Sequence, residues 1–130
     1  MATYGPIYTK TYKASTDMSS YQYHFVTAES DEQVALSGTT SVITGIQQDN
    51  GGDAENKGVS VAYAGFSLLV VDGNAGAIAV NDKLSADASG HGVKTTTDLD
   101  DYGAIAQQAS TAAGDIIRVL VVPGGLISAT

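Results

Sequence analysis

The chain has 130 residues, 14 acidic against 6 basic, a formal charge of -8 and no cysteine or tryptophan. That is enough for one compact domain with a core of its own. Disulfides and thiolate metal ligands are excluded, and an acidic surface repels phosphate backbones, so no nucleic-acid partner is expected. No apolar run approaches the roughly 20 residues that cross a bilayer as a helix, and the first residues lack the layout of a secretion signal. The expectation is a soluble protein made in a cytoplasm, with no membrane partner.

Residues 1–20 differ from the rest. Tyr4, Tyr8 and Tyr12 recur every four residues among threonines, Lys10 and Lys13, and Pro6 interrupts any helix that would use that spacing. The segment reads as an extended N-terminal arm, followed by a single β-rich domain over 21–130. An arm of this kind can become ordered on a partner with tyrosines as anchors.

Tyr21 to Thr27 alternates, with Tyr21, Tyr23 and Phe25 on one face and Gln22 and His24 on the other, which predicts a half-buried strand. Val34–Leu36 and Ser41–Ile46 are further short strands, with Gly45 marking a possible bulge. Gln47–Gly58 is a polar loop whose Asn50-Gly51 pair signals a turn. Val59–Val71 is a long β run, bent or broken at Gly65. Asp72–Gly76 turns, Ala77–Val80 is a short strand, and Ala88–Gly92 is a second hairpin-like turn. Val93–Thr97 is threonine-rich and extended, and Asp98–Asp101 is an acidic connector.

Tyr102–Ala113 fits either a capped helix or a strand from Gly103 to Ala109; the strand is the favoured reading. Ile116–Val122 is apolar on both faces and reads as a central strand, ended by Pro123-Gly-Gly125. No solenoid repeat is visible. Short strands about ten residues apart, joined by Gly-rich turns, predict a mostly β fold: one small β-sandwich or partly open β-barrel.

No set of residues supports chemistry. His24 and His91 are the two imidazoles and neither has a nucleophile beside it in sequence. The loop Asp49–Glu55 has Ala54 and Ser60 where a hand-type calcium loop needs Gly and Glu. Asp98, Asp100 and Asp101 read as a solvated acidic turn. Phosphate-cradling and nucleophile-elbow motifs are absent from the sequence. The expectation is a protein that is not an enzyme, with no cofactor, metal or catalytic residue.

Over about residues 25–122 the chain resembles the bacteriophage capsid cement, or head decoration, proteins. The resemblance is carried by Gly58-Val-Ser-Val61, Val71-Asp-Gly73, Ala77-Ile-Ala-Val80, Asn81-Asp-Lys-Leu84, a polar turn at Gly90, Tyr102-Gly-Ala-Ile-Ala106 and Ala112-Ala-Gly-Asp-Ile-Ile-Arg-Val-Leu-Val121, in that order. Val34–Gly38 and Thr44–Ile46 fit the same plan. It implies a protein on the outer surface of the mature phage head, bound to the major capsid protein and stabilising contacts between capsomers. It further implies trimers at three-fold and quasi-three-fold positions. Tyr4, Ile7, Tyr8 and Tyr12 are the candidate capsid contacts. The alternatives are a low-copy tail or fibre-base module, or a glycan-binding sandwich using Tyr63 and Tyr102.

Overall fold

The computed structural model describes residues 7–39, 42–95 and 101–126. It is all β, with nine strands: β1 Ile7–Ala14, β2 Phe25–Ser30, β3 Gln33–Leu36, β4 Gly45–Gln47, β5 Gly58–Asp72, β6 Lys83–Ala86, β7 Gly92–Lys94, β8 Asp101–Ala106 and β9 Ala113–Leu126. β5 runs 15 residues because Val59 to Val71 is rich in β-branched and aromatic side chains that suit a pleated surface. Gly65 does not break it. Its φ of +92 suits a residue without a Cβ, and there β5 changes partners, pairing with Ile7 of β1 and Val121 of β9.

The pairings close two circuits that share β5. One runs β1–β3–β2–β4–β5 and back to β1; the other runs β5–β7–β6–β8–β9 and back to β5. In each, the first link is parallel and the rest antiparallel. Some links are only one or two residue pairs long, such as Val71 to Gly92, so each circuit is a partly open barrel.

The second circuit repeats the first in register. Val26 pairs Leu36 and Leu84 pairs Lys94; 26 to 84 and 36 to 94 are both shifts of 58. Gln47 pairs Val61 and Ala106 pairs Val119, shifts of 59 and 58. Six of the seven described residues at positive φ follow the same shift, Tyr23 with Asn81, Glu32 with Gly90 and Asn56 with Gly114, and the seventh, Gly65, is where the units join. Even a side-chain bond recurs, Gln48 Nε2 to the Ile46 carbonyl (3.0 Å) and Gln107 Nε2 to the Ile105 carbonyl (3.4 Å). The chain is a tandem duplication in which the last strand of unit one continues as the first strand of unit two.

Each unit has its own core. Ala14, Met18, Val26, Val34, Val59 and Val61 fill the first, with Tyr12 and Tyr21 packed against them. Leu69, Val71, Leu84, Ala104, Ile117, Val119 and Val121 dominate the second, and Phe25, Ile43 and Ile46 of unit one project into it. This seam also carries the hydrogen bonds Val70 N–H to the Tyr23 carbonyl (2.8 Å) and Phe25 N–H to the Gly90 carbonyl (2.9 Å). Gly90 has φ +73, and a Cβ there would stand 2.5 Å from Leu36 Cδ1. Gly90→Ala is therefore expected to cost about 2 kcal/mol from the left-handed backbone and the crowding together, read as a lower melting temperature.

Several expectations change. Tyr21–His24 is a turn, not the start of a strand; the His24 N–H donates to the Tyr21 carbonyl (3.1 Å), and Tyr23 at φ +65 cannot continue a pleat. Ser41 lies outside the described residues, and of Val42–Ile46 only Gly45 and Ile46 lie in a strand. Gly45 is required by close approach to the Ala62 carbonyl rather than by a bulge. Ile78 makes an isolated bridge to Ser110 instead of a strand. β8 bears out the strand reading of the Tyr102 region but ends at Ala106. β9 is central, between β5 and β8, and runs past Pro123 to Leu126. The ladder tolerates that proline because the register jumps from Ala104–Val121 to Tyr102–Gly125, so no partner needs its missing N–H. Finally, Ile7–Ala14 of the expected arm is strand β1.

Candidate attachment surface

β1 is an antiparallel neighbour of β5 from Ile7–Gly65 to Lys13–Gly58. Among the described residues its other edge meets β3 only at Lys13 and Ala14. Ile7 to Thr11 are all exposed, so this stretch shows both faces and one edge to solvent. A strand edge with unpaired N–H and C=O groups is a natural docking feature.

At the start of β1, Ile7 and Tyr8 are 43% and 55% exposed. Tyr8 lies against Tyr63 of β5, ring centroids 6.5 Å apart and tilted by 47°. Tyr63 has the inward parity of Val59 and Val61 but falls between the two cores beside Gly65, so it is left 38% exposed. Tyr8 and Tyr63 make an exposed aromatic pair where the units join, and Ile7 stands next to Tyr8 along β1 with the opposite parity. Such rings offer large contact area at small entropic cost.

Tyr12 plays another part. It packs against the first core, with the Lys10 ammonium 4.8 Å from its ring centre. Lys10 Nζ is 2.9 Å from Glu32 Oε1, and the hydrogen bond to that carboxylate raises the Lys10 pKa. The pair is exposed, so it orients the strand surface more than it stabilises it. Of the four candidate contacts, Tyr8 is in the aromatic pair, Ile7 is exposed beside it in β1, Tyr12 anchors β1 to the core, and Tyr4 lies outside the described residues. Tyr63, a candidate only for the glycan-binding alternative in the sequence, is brought to the capsid-contact set by its contact with Tyr8. Tyr102 is remote in role: its ring carries the Lys83 ammonium at 5.7 Å.

No protein-family model and no curated protein matches the chain. Among solved structures, one match is the crystal structure of head fiber gp8.5 N base in bacteriophage phi29, with TM-score 0.67 and 13% identity over 93% of this chain and 98% of that one. The two chains share a fold. At that identity the fold is what the likeness conveys, and the side chains of the patch are this chain's own.

Among the described residues no group of three His, Asp or Glu is placed to hold a metal ion. Two carboxylates of the 48–57 loop are engaged locally, Asp53 with Lys57 (3.5 Å) and Asp49 with the Gly51 N–H (3.2 Å). Asp98 and Asp100 lie outside the described residues.

Proposed function

We propose that the chain is a structural component of a bacteriophage virion, and more finely a decoration protein of the head. In this reading it sits on the outer surface of the mature capsid, binds the major capsid protein and stabilises contacts between capsomers. It clusters with copies of itself, as trimers at three-fold and quasi-three-fold positions. It performs no catalysis and needs no cofactor. The observation that carries the reading is the fold shared, over nearly the whole of both chains, with the base of a phage head fibre. The order of β motifs along residues 25–122 supports it independently. Several weak contacts made together give such a protein its hold, because each bound site raises the effective concentration at the next.

A second reading is favoured by that neighbour being the base of a head fibre: the chain forms the base of a fibre and occurs in few copies. Quantitative mass spectrometry of purified particles separates the two. Copy numbers near that of the major capsid protein support decoration of the whole shell, a small fraction supports a fibre base, and absence from particles sinks both.

The attachment patch is tested by the double variant Tyr8→Ser, Tyr63→Ser. Exposed rings contribute little to the fold, so melting is expected to stay within a few degrees of wild type. Loss of two aromatic contacts of about 1 kcal/mol each weakens binding to empty capsids roughly 30-fold. Undiminished binding would remove the patch from the interface.

A further inference from the structure

The chain has two histidines, and they stack on each other across the seam between the units. The His24 and His91 ring centroids are 4.9 Å apart, tilted by 48°. His24 belongs to the Tyr21–His24 turn of unit one and His91 to the Asp87–His91 turn of unit two. Under the internal repeat, His24 corresponds to Asp82 and His91 to Gln33, so the stack is a property of the seam and not of either unit.

The surroundings are unequal. The other side of His24 faces the Tyr21 ring at 5.6 Å, and its Nδ1 is 3.1 Å from the Gln22 carbonyl. A carbonyl only accepts, so Nδ1 carries the hydrogen and Nε2 is the atom that gains a proton. His91 Nδ1 is 3.6 Å from Asp87 Oδ2, while Asp87 Oδ1 accepts from the Ser89 and His91 amides at 2.8 and 3.0 Å. The titratable groups facing His24 are the Tyr21 ring from its own turn, and His91 and Asp87 from the facing one. Asp87 lies beside His91 and can neutralise one imidazolium there. Among the described residues it is the carboxylate that also acts on half-buried His24, so one carboxylate serves two rings.

We propose that the His24–His91 stack is an acid-sensitive latch. With both rings neutral it holds the two turns together. With both protonated, like charges in contact distance drive the turns apart and the seam loosens while each unit keeps its own ladder. Burial above all, and His91 more weakly, hold the His24 pKa below the ordinary histidine value, against the backbone bonds to Gln22 and Tyr21 and the Asp87 carboxylate, which raise it. A group with a depressed folded pKa contributes stability that is fully present above its unfolded value of about 6.5 and is lost as pH falls below that value and through the lower folded one. The latch therefore works at neutral pH and fails in acid. This does not depend on the virion reading.

The test is amide hydrogen exchange on the intact chain at pH 8 and pH 5, corrected for the intrinsic pH dependence of exchange. Phe25 and Val70 report the seam; Thr95 and Ala106, bonded to the Lys83 and Asp82 carbonyls, report the interior of unit two. Protection at Phe25 and Val70 is expected to fall at least tenfold in acid, with less than threefold change at Thr95 and Ala106. His24→Gln and His91→Gln should each abolish the difference. Equal loss at all four amides, or an unchanged seam response in either variant, overturns the latch. If neither variant folds, the wild-type proton NMR titration decides: His24 titrating below about 6.5 upholds it, and His24 titrating at or above that value overturns it.

Discussion

A chain lacking residues 1–16 is expected to lose its first unit and not merely an arm. β1 supplies seven residue pairs to β5, from Ile7–Gly65 to Lys13–Gly58. At about 1 kcal/mol net for each ladder hydrogen bond that loss alone is on the order of 5 kcal/mol. Ala14, fully buried, is also removed. It ties three segments together: its N–H donates to the Lys57 carbonyl and its carbonyl accepts the Asn56 N–H, each at 2.8 Å, and the next amide, Ser15, donates to Val34 (2.9 Å). The polar 48–57 loop closes directly on this residue. Globular chains hold roughly 0.05–0.15 kcal/mol per residue, about 6–20 kcal/mol at this length, so the deletion takes a large share of the total. Circular dichroism should show a melting temperature lowered by more than 10 °C or no cooperative melt at all. Wild-type melting of the truncated chain would return β1 to the status of a dispensable arm. Attachment must for this reason be probed by point changes at Tyr8 and Tyr63, since a deletion confounds binding with folding.

The arm reading failed for a physical reason. Pro6, the spaced tyrosines and two lysines describe an extended segment, and β1 is extended; what no local pattern carries is the partner it zips to, more than forty residues away. The long apolar runs are legible because β-branched content decides them with little help from context; β5 and β9 lie on those runs, but β5 passes unbroken through Gly65 and β9 continues past Pro123. Tyr21 to His24 departs from the expected strand because alternation alone cannot tell a pleat from a turn when a tyrosine sits at positive φ. The duplication was hidden for a related reason. Identical pairs such as Ala28 and Ala86, Ile46 and Ile105, Gln48 and Gln107, and Val61 and Val119 are scattered. Positions with the same backbone demand are filled by residues as unlike as Glu32 and Gly90. That last difference has a meaning of its own. Gly90 and Gly103 let unit one approach unit two, and at the corresponding places unit one carries Glu32 and Thr44. Phe25 and Leu36, which fill the seam, correspond to Lys83 and Lys94. The outer ends of the pair are polar where the seam is apolar, as terminal repeats must be to stay soluble, so the same contact does not propagate to a third unit.

Phe25→Ala is expected to be the most damaging single substitution, by about 3–5 kcal/mol. The ring is fully buried although it begins a strand of unit one, and its atoms lie in the core of unit two with Ile43 and Ile46. Its Cε1 is 3.0 Å from where a Cβ on Gly103 would stand, so no neighbouring side chain can swing in from that side to fill the space. The backbone around it is also committed. Its N–H donates to Gly90 and its carbonyl accepts from Ser37 at 3.0 Å, which stops the turn from sinking into the gap. Because Lys83 occupies the same place in unit two and is exposed, a phenylalanine is not demanded by the repeat; it is demanded by the seam. The loss should therefore fall on the coupling between units. Calorimetry of the wild type is expected to give one transition with equal calorimetric and van't Hoff enthalpies. In the variant the calorimetric value should exceed the van't Hoff value as the units melt separately. Leu84→Ala, inside unit two, should cost about 2–5 kcal/mol while damaging one unit's core more than the joint. A Phe25→Ala protein that melts in one step within a few degrees of wild type would mean that β5, running unbroken through both circuits, couples the units without help from the seam.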